Sequence, residues 1–560
     1  MSLQISWEKI DKQAKSNSSL QMSNLQDFAN VDLLKDVNTD AKNIASIGEL
    51  NQTILDDEQL NFPTDTSLYK FYIWSKAISN EKGEFENEQK LTINFSEPVN
   101  SSGITLVFWE PSNDYCSKIK INWYDGANVL LSSKEFSINN YEYFCANVVE
   151  NYSKLEIIFL KTANPNRFIK LSGIYYGETV NLDDSNIITA ELLEQMSLSL
   201  DTLYANELDL TIINLDDNFN MITNPGLFAS VQPNQELNIK TNDKELGLYY
   251  IEDSKVNDNI LSLVCFDLIG ILESKEFSGG LYSTNTTFST ILNQIIQEAK
   301  LLELFNNEHN GFDVPQEILD KPIFGYIPIT NCREALHMLC YSASVVAKYN
   351  RGEKIKIFKL DSTKKDDIEK DRTILGSYEI TNNEKYTGVT LNAFTYSRGS
   401  DSEQLVNDEY EVGTFKVTFN EPKYDYFASG ATIISSSVNH VEFKVTAAGT
   451  VNITGKKYDV TVTPVTQENT KYYGTNKIIK QMQDVTLVHP SYSEEVCKNQ
   501  LNYYLKRYSA KSDVLQTEVT LGDNVDLRDI NGYVTKIQTD LIQEDISGLE
   551  VVGDAKFNNW

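Results

Sequence analysis

The stretch GITLVFWEPSNDYCSKIKINWYDG, residues 103–126, reads as two strands around an exposed loop. Ile104, Leu106 and Phe108 are in phase on the first strand, and Ile119, Ile121 and Trp123 on the second. Trp123 therefore belongs to the apolar face and is expected to fill a core. Trp109 falls on the opposite face with Thr105 and Val107, beside the loop that carries Pro111 and Tyr115. Two readings of Trp109 stay open. With Tyr115 it forms a glycan contact, its ring stacked on the apolar face of a pyranose, or it packs against a neighbouring domain.

Working outward, short strands spaced by turn residues fill residues 63–178: KLTINFSEP, GITLVFWEP, KIKINWYDG, KLEIIFLK and FIKLSGIYYG. That is the pattern of a β-sandwich. YDGAN supports a hairpin between KIKINW and VLLSSKEF. Ahead of it, residues 1–62 are polar with no strong 3.6-residue stripe, and read as a partly helical docking arm that needs another surface to order it.

Residues 179–279 change style. Leu208, Leu210 and Ile212 alternate in ELDLTIINL, and further strands follow at tight polar turns, the signature of a small antiparallel barrel. Residues 280–375 form an α+β unit. One helix there places Phe288, Ile291, Leu292, Ile295, Ile296, Ala299 and Leu302 on a broad face. A second, capped by Thr330 or Asn331, buries Leu336, Leu339, Cys340 and Ala343, then runs into a hairpin turned at Asn350–Gly352. The remainder, 376–560, is again mostly β, with a strand-rich insert at about 408–472 and a helix at about 491–508. Ser491 and Glu494 read as a capping box for that helix, and the last two strands are expected to turn around Asn531–Gly532. The fold class expected is mainly β and multidomain.

Composition narrows the function. A chain of 560 residues is too long for one core. Its 80 acidic and 49 basic residues give a net charge of −31, which repels phosphate backbones, and no basic patch offsets it. The densest charge run, KKDDIEKDR at 364–372, mixes signs and reads as a solvated loop. No apolar run is long enough for a membrane span, and MSLQISWEKIDKQAK lacks a signal-peptide core. Six cysteines form no disulfide framework and read as small buried hydrophobes made in a reducing cytoplasm.

No chemistry is marked. Cys332, His337 and Cys340 are spaced around a helix rather than along one face, and a fourth ligand is missing, so core packing is expected and no metal. The acidic pairs Asp56–Asp57, Asp183–Asp184 and Asp216–Asp217 lack the alternation of a calcium loop and read as caps and turns. No nucleophile elbow, HExxH or phosphate loop is present, and the histidines at 309, 337, 440 and 489 fall in different segments. Neither catalytic residues nor a cofactor are expected.

Several segments together resemble tail proteins of phages that infect Gram-positive bacteria. IGELNQTILDDEQLNF followed by YIWSKAISNEKGEF resembles the junction into a discoidin-like module, which would make the sandwich a jelly roll of galactose-binding type. The central part resembles the baseplate hub, or tail-associated, family of tailed phages and contractile injection systems. Its marks are ELGLYYIEDSKVNDNILSLVCFDLIGILES, REALHMLCYSASVVAKYNRGEKIKIFKL, EEVCKNQLNYYLKRY and LGDNVDLRDINGYVTKIQTDL, in that order. The resemblance implies tail-hub β-barrels with an inserted α+β unit. It implies a homotrimeric ring joining the tail tube or distal tail protein to a central spike or needle, beside baseplate wedge proteins. DNA would pass through without specific binding, and a host cell-wall glycan is the open outer partner. The chain ends at Trp560, just past the last barrel strands, so no appended peptidoglycan hydrolase is expected. The alternatives are a carbohydrate-binding receptor-recognition protein and another ring component such as the distal tail protein. Phage and tail-like bacteriocin fit equally.

Overall fold

The computed structural model describes residues 3–10, 14, 18–23, 55–56, 59–60, 73–108, 114–213, 235–241, 244–257, 259–301, 311–351, 354–469, 476–515, 518–542 and 546–556. The chain is mainly β and divides into two compact units, Ile5–Leu182 with Asn214–Leu237, and Met1–Gln4 with Asp183–Ile213 and Asn238–Trp560.

The first unit is built on two long strands, Glu84–Phe108 and Glu142–Thr162, which pair antiparallel along their length. Register shifts between Asn94 and Val99, and again at Ser101 and Gly103, bend both strands in their middle. Each therefore serves two layers. One layer runs Ser18–Ser23, the first half of Glu84–Phe108, the second half of Glu142–Thr162, Cys116–Tyr124 and Leu130–Ser137. The other runs Ile73–Ile78, Phe168–Tyr175 and the remaining halves of the long strands. Leu91, Ile93, Ile104, Leu106, Ile119 and Ile157 meet in one core between them. The alternating phase read from residues 103–126 is what fills it. In the amino-terminal arm Ser18–Ser23 is a strand along the sandwich edge, with Ser18 opposite Phe95 and Ser23 opposite Lys90.

In the second unit, eight strands follow one another in a single antiparallel sheet that curls into half a barrel. Their order is Lys244–Asn257, Ile260–Phe266, Glu207–Ile213, Ile187–Gln195, Ile530–Asp540, Ile546–Ala555, Tyr508–Leu515 and Glu379–Asn382. Strands near residue 190 thus pair directly with strands near 540, Glu191 opposite Asp540 and Gln195 opposite Lys536. The helices Phe288–Glu298, Cys332–Ala343 and Pro490–Tyr504 bring Ile291, Leu336, Leu339 and Val496 into one core with Ala510, Val534, Leu549 and Val551 of that sheet. Asn331 caps the second helix, its side chain accepting from the Glu334 N–H at 2.7 Å. The hairpin that follows pairs Val346–Asn350 with Lys354–Phe358. Residues 388–468 are dominated by the ribbon of Gly388–Tyr410 and Gly449–Glu468, whose base at Val389, Leu391 and Ala393 joins that core while its far end packs around Val441, Phe443, Val451 and Ile453.

Three local expectations are corrected. The late helix starts at Pro490, with His489 rather than Ser491 as its cap; His489 Nδ1 accepts from the Ser491 N–H at 3.2 Å. Proline suits the first helical position, where its missing N–H costs nothing. That helix also ends at Tyr504, and Tyr508 opens a strand. Asn531–Gly532 is not a turn: it lies inside a strand opposite Asp526 and Val525, and the turn is Arg528–Asp529, with Arg528 at φ +52°. KKDDIEKDR is not a loop. Lys364–Ile368 is a strand parallel to Asn524–Leu527, anchored by buried Ile368. Lys364 holds Asp526 at 3.1 Å, Arg372 holds Asp366 at 2.9 Å, and Lys556 reaches Asp367 and Glu369 at 3.2 Å and Asp526 at 3.4 Å.

Candidate functional site

Trp109 lies outside the described residues. Tyr115 is described, and it is half-buried against the sandwich core, its carbonyl accepting from the Ala163 N–H at 2.9 Å. Trp123 is fully buried in the same core. Beside Tyr115 stands a group that periodicity does not reveal. Asp114 is buried and accepts from Lys170 Nζ at 3.0 Å, Arg167 Nε at 3.3 Å and Asn164 Nδ2 at 3.0 Å. Lys170 is itself buried although it alternates with Ile169 and Leu171, because both faces of its strand are covered. Two cations on one buried carboxylate tie the turn at residues 163–167 to the loop end of the sandwich.

The cysteines show no nucleophile. All six are free and buried. Burial pushes the Cys145 thiol up to about 12, and burial followed by the Asp114 charge raises Cys116 further, so neither offers a thiolate near neutral pH. On the Cys332–Ala343 helix the three spaced residues take different partners. Cys332 Sγ approaches the Glu276 carbonyl at 3.7 Å, Cys340 packs in the core, and His337 lies between Glu334 Oε1 at 3.1 Å and the Leu200 carbonyl. Burial lowers the His337 pKa, but the Glu334 hydrogen bond and charge outweigh it and the net shift is upward. Among the described residues no three His, Cys, Asp or Glu side chains are placed to hold a metal ion. Asp183 behaves as a turn residue, accepting from the Ser185 N–H at 2.9 Å.

Two surface features of the larger unit invite a partner. The sheet stops at Glu379–Asn382, whose four residues are all exposed and whose outer edge carries no further strand among the described residues. Near that edge Leu375 is 94% exposed, and Leu515 and Ile546, opposite one another, are also exposed. The second feature is charge. On the solvent face Glu191 stands directly opposite Asp540 on one side and Asp209 on the other. Neighbouring Glu207 is held above the usual carboxylate range, first by burial and then by Asp209. Like charges side by side across strands oppose folding, so the row is kept at some cost to stability.

A cavity of about 730 Å³ lies along the Pro490–Tyr504 helix, and a smaller one of about 240 Å³ adjoins it at Tyr503 and Lys506. In the smaller, Lys480 lies 5.5 Å from the rings of Tyr386 and Tyr504, and Tyr504 donates to Asp201. Neither cavity was visible in the sequence, since their walls come from segments three hundred residues apart.

The sequence matches no family model and no curated protein. Two of the solved structures that are similar in part are prophage tail proteins. One is the 43 kDa tail protein of prophage MuSo2 from Shewanella oneidensis, at 10% identity and a TM-score of 0.38, covering 67% of this chain and 95% of that one. The other is the prophage tail protein gp18 from Listeria monocytogenes EGD-e, at 6% identity and a TM-score of 0.37, covering 67% and 92%. No described helix is long and apolar enough to cross a membrane.

Proposed function

We propose that the chain is a structural protein of a phage tail or tail-like particle, and within it the baseplate hub. Three copies would form a ring between the tail tube or distal tail protein and the central spike, with no chemistry of their own. The order of units along the chain suggests the role, and one structural observation carries it: the half-barrel sheet ends in an open, exposed edge at Glu379–Asn382 flanked by exposed apolar side chains. An unpaired edge of that kind is a template for a neighbouring chain. The acidic row Asp540–Glu191–Asp209 suits a wall that DNA slides past, since it repels phosphate.

Electron microscopy of particles from the producing bacterium, labelled with gold-conjugated antibody to this chain, tests the assignment. Gold at the distal tip of the tail, in every labelled particle, is the expected result. Gold along the tube, on the head, or on no particle would overturn it.

A further inference from the structure

The cavity along the Pro490–Tyr504 helix has no part in the assembly reading. Its floor is apolar, formed by Leu198, Val345 and Leu360 with the rings of Tyr503 and Tyr533. Its rim carries Lys359, Lys498 and Lys506 against one carboxylate, Glu495, which Lys321 already holds at 2.9 Å. In a chain with 80 acidic and 49 basic residues, three lysines around one cavity run against the composition. Lys498 is exposed and has no carboxylate partner among the described residues. Lys359 and Lys506 hold Glu317 and Asp554 at 3.2 Å, pairs exposed enough to exchange for a ligand at little cost.

The wall is polar where it is most buried. Gln500 is 5% exposed; its Nε2 donates to the Ser199 carbonyl at 2.8 Å, which fixes the amide orientation and leaves Oε1 without a protein partner. Ser344 Oγ, also in the wall, has none either. The size lies in the range of sites that enclose a small ligand or a few residues of extended chain.

We propose that this cavity binds a short acidic peptide segment of a partner protein. An apolar side chain lies on the floor, and carboxylates meet Lys498 and Lys506. A fatty acid would satisfy the floor but carries a single carboxylate, whereas an acidic peptide can meet two lysines at once, which is why a peptide is preferred.

The test uses the full chain and a fluorescein-labelled hexapeptide alternating leucine and aspartate, with a leucine–lysine hexapeptide and laurate as comparators. Saturable binding of the acidic peptide alone is expected, weakened about tenfold by Lys498→Glu, an exposed change that leaves folding intact. Four outcomes would each overturn the proposal: no saturation up to about 1 mM, equal binding of the lysine peptide, tighter binding of laurate, or an affinity indifferent to Lys498→Glu.

Discussion

Gly532 and Gly553 face each other where Ile530–Asp540 pairs with Ile546–Ala555, and both are there because the two backbones touch. A Cβ on Gly532 would sit 2.3 Å from the Val552 carbonyl oxygen and 2.6 Å from the Gly553 Cα. One on Gly553 would sit 2.0 Å from the Asn531 oxygen. Ordinary contact needs about 1 Å more in each case, and the obstructing atoms are backbone, which cannot rotate away. Neither glycine has positive φ, so the penalty is steric and not conformational. Gly532→Ala must push the strands apart, combining overpacking of about 1–3 kcal/mol with the loss of one or two ladder hydrogen bonds at about 1 kcal/mol each. A total of about 3 kcal/mol follows, a drop of about 1 M in the urea midpoint of the unit that contains this sheet. Gly553→Ala should cost the same, and the double variant less than the sum, because one separation relieves both clashes. Gly548→Ala on the same strand is the control: its Cβ would meet nothing closer than Asp513 Oδ1 at 3.4 Å, so the midpoint should hold. Urea unfolding followed by near-ultraviolet circular dichroism reads all four. If Gly532→Ala unfolds with wild-type midpoint, the close approach is wrong.

Asp267 is fully buried at a helix start and accepts from the Asn206 and Ile269 N–H groups at 2.8 Å; desolvation outweighs these bonds and raises its pKa from 3.8 to about 7. The folded state therefore binds a proton that the unfolded state has released between those values, so this group's contribution to stability is full below pH 4 and falls by about 4 kcal/mol by pH 7. Asp267→Asn, still a good cap, should remove that slope in urea midpoints measured from pH 4 to 8. Asp114→Asn should destabilise the sandwich by about 3 kcal/mol by leaving the buried Lys170 charge short of its carboxylate, seen as an earlier thermal transition. Ile368→Ala, truncating the fully buried anchor of the Lys364–Ile368 strand, should cost about 3 kcal/mol in the same assay.

Much of the fold was legible because strand and helix phase are local. Leu208, Leu210 and Ile212 are buried as their alternation requires, and so are Ile119, Ile121 and Trp123. The Asn331 cap was readable from residue type. Phase names the buried face but not the strand lying alongside, so the pairing of Glu191 with Asp540 could not be read. Asn531–Gly532 has the composition of a hairpin turn, yet Gly532 is required by the approach of Gly553, a contact invisible from either segment alone. KKDDIEKDR looked solvated because its charges hid Ile368 and the partners that neutralise them. The loop end of the sandwich was less legible: Tyr115 is half-buried beside Asp114, and nothing in FIKLSG marks Lys170 as buried, since its carboxylate lies fifty-six residues away.

The ring is the central claim, and the absolute mass of the purified chain in solution tests it most directly. One subunit is 63.6 kDa. Multi-angle light scattering at micromolar concentration and moderate salt should give three times that mass, and Ile380→Pro in the open edge, at a position between the hydrogen-bonded pairs of the inner ladder, should return it to one. A wild-type chain that stays at the mass of one subunit, or an edge variant that keeps the mass of three, would contradict the account.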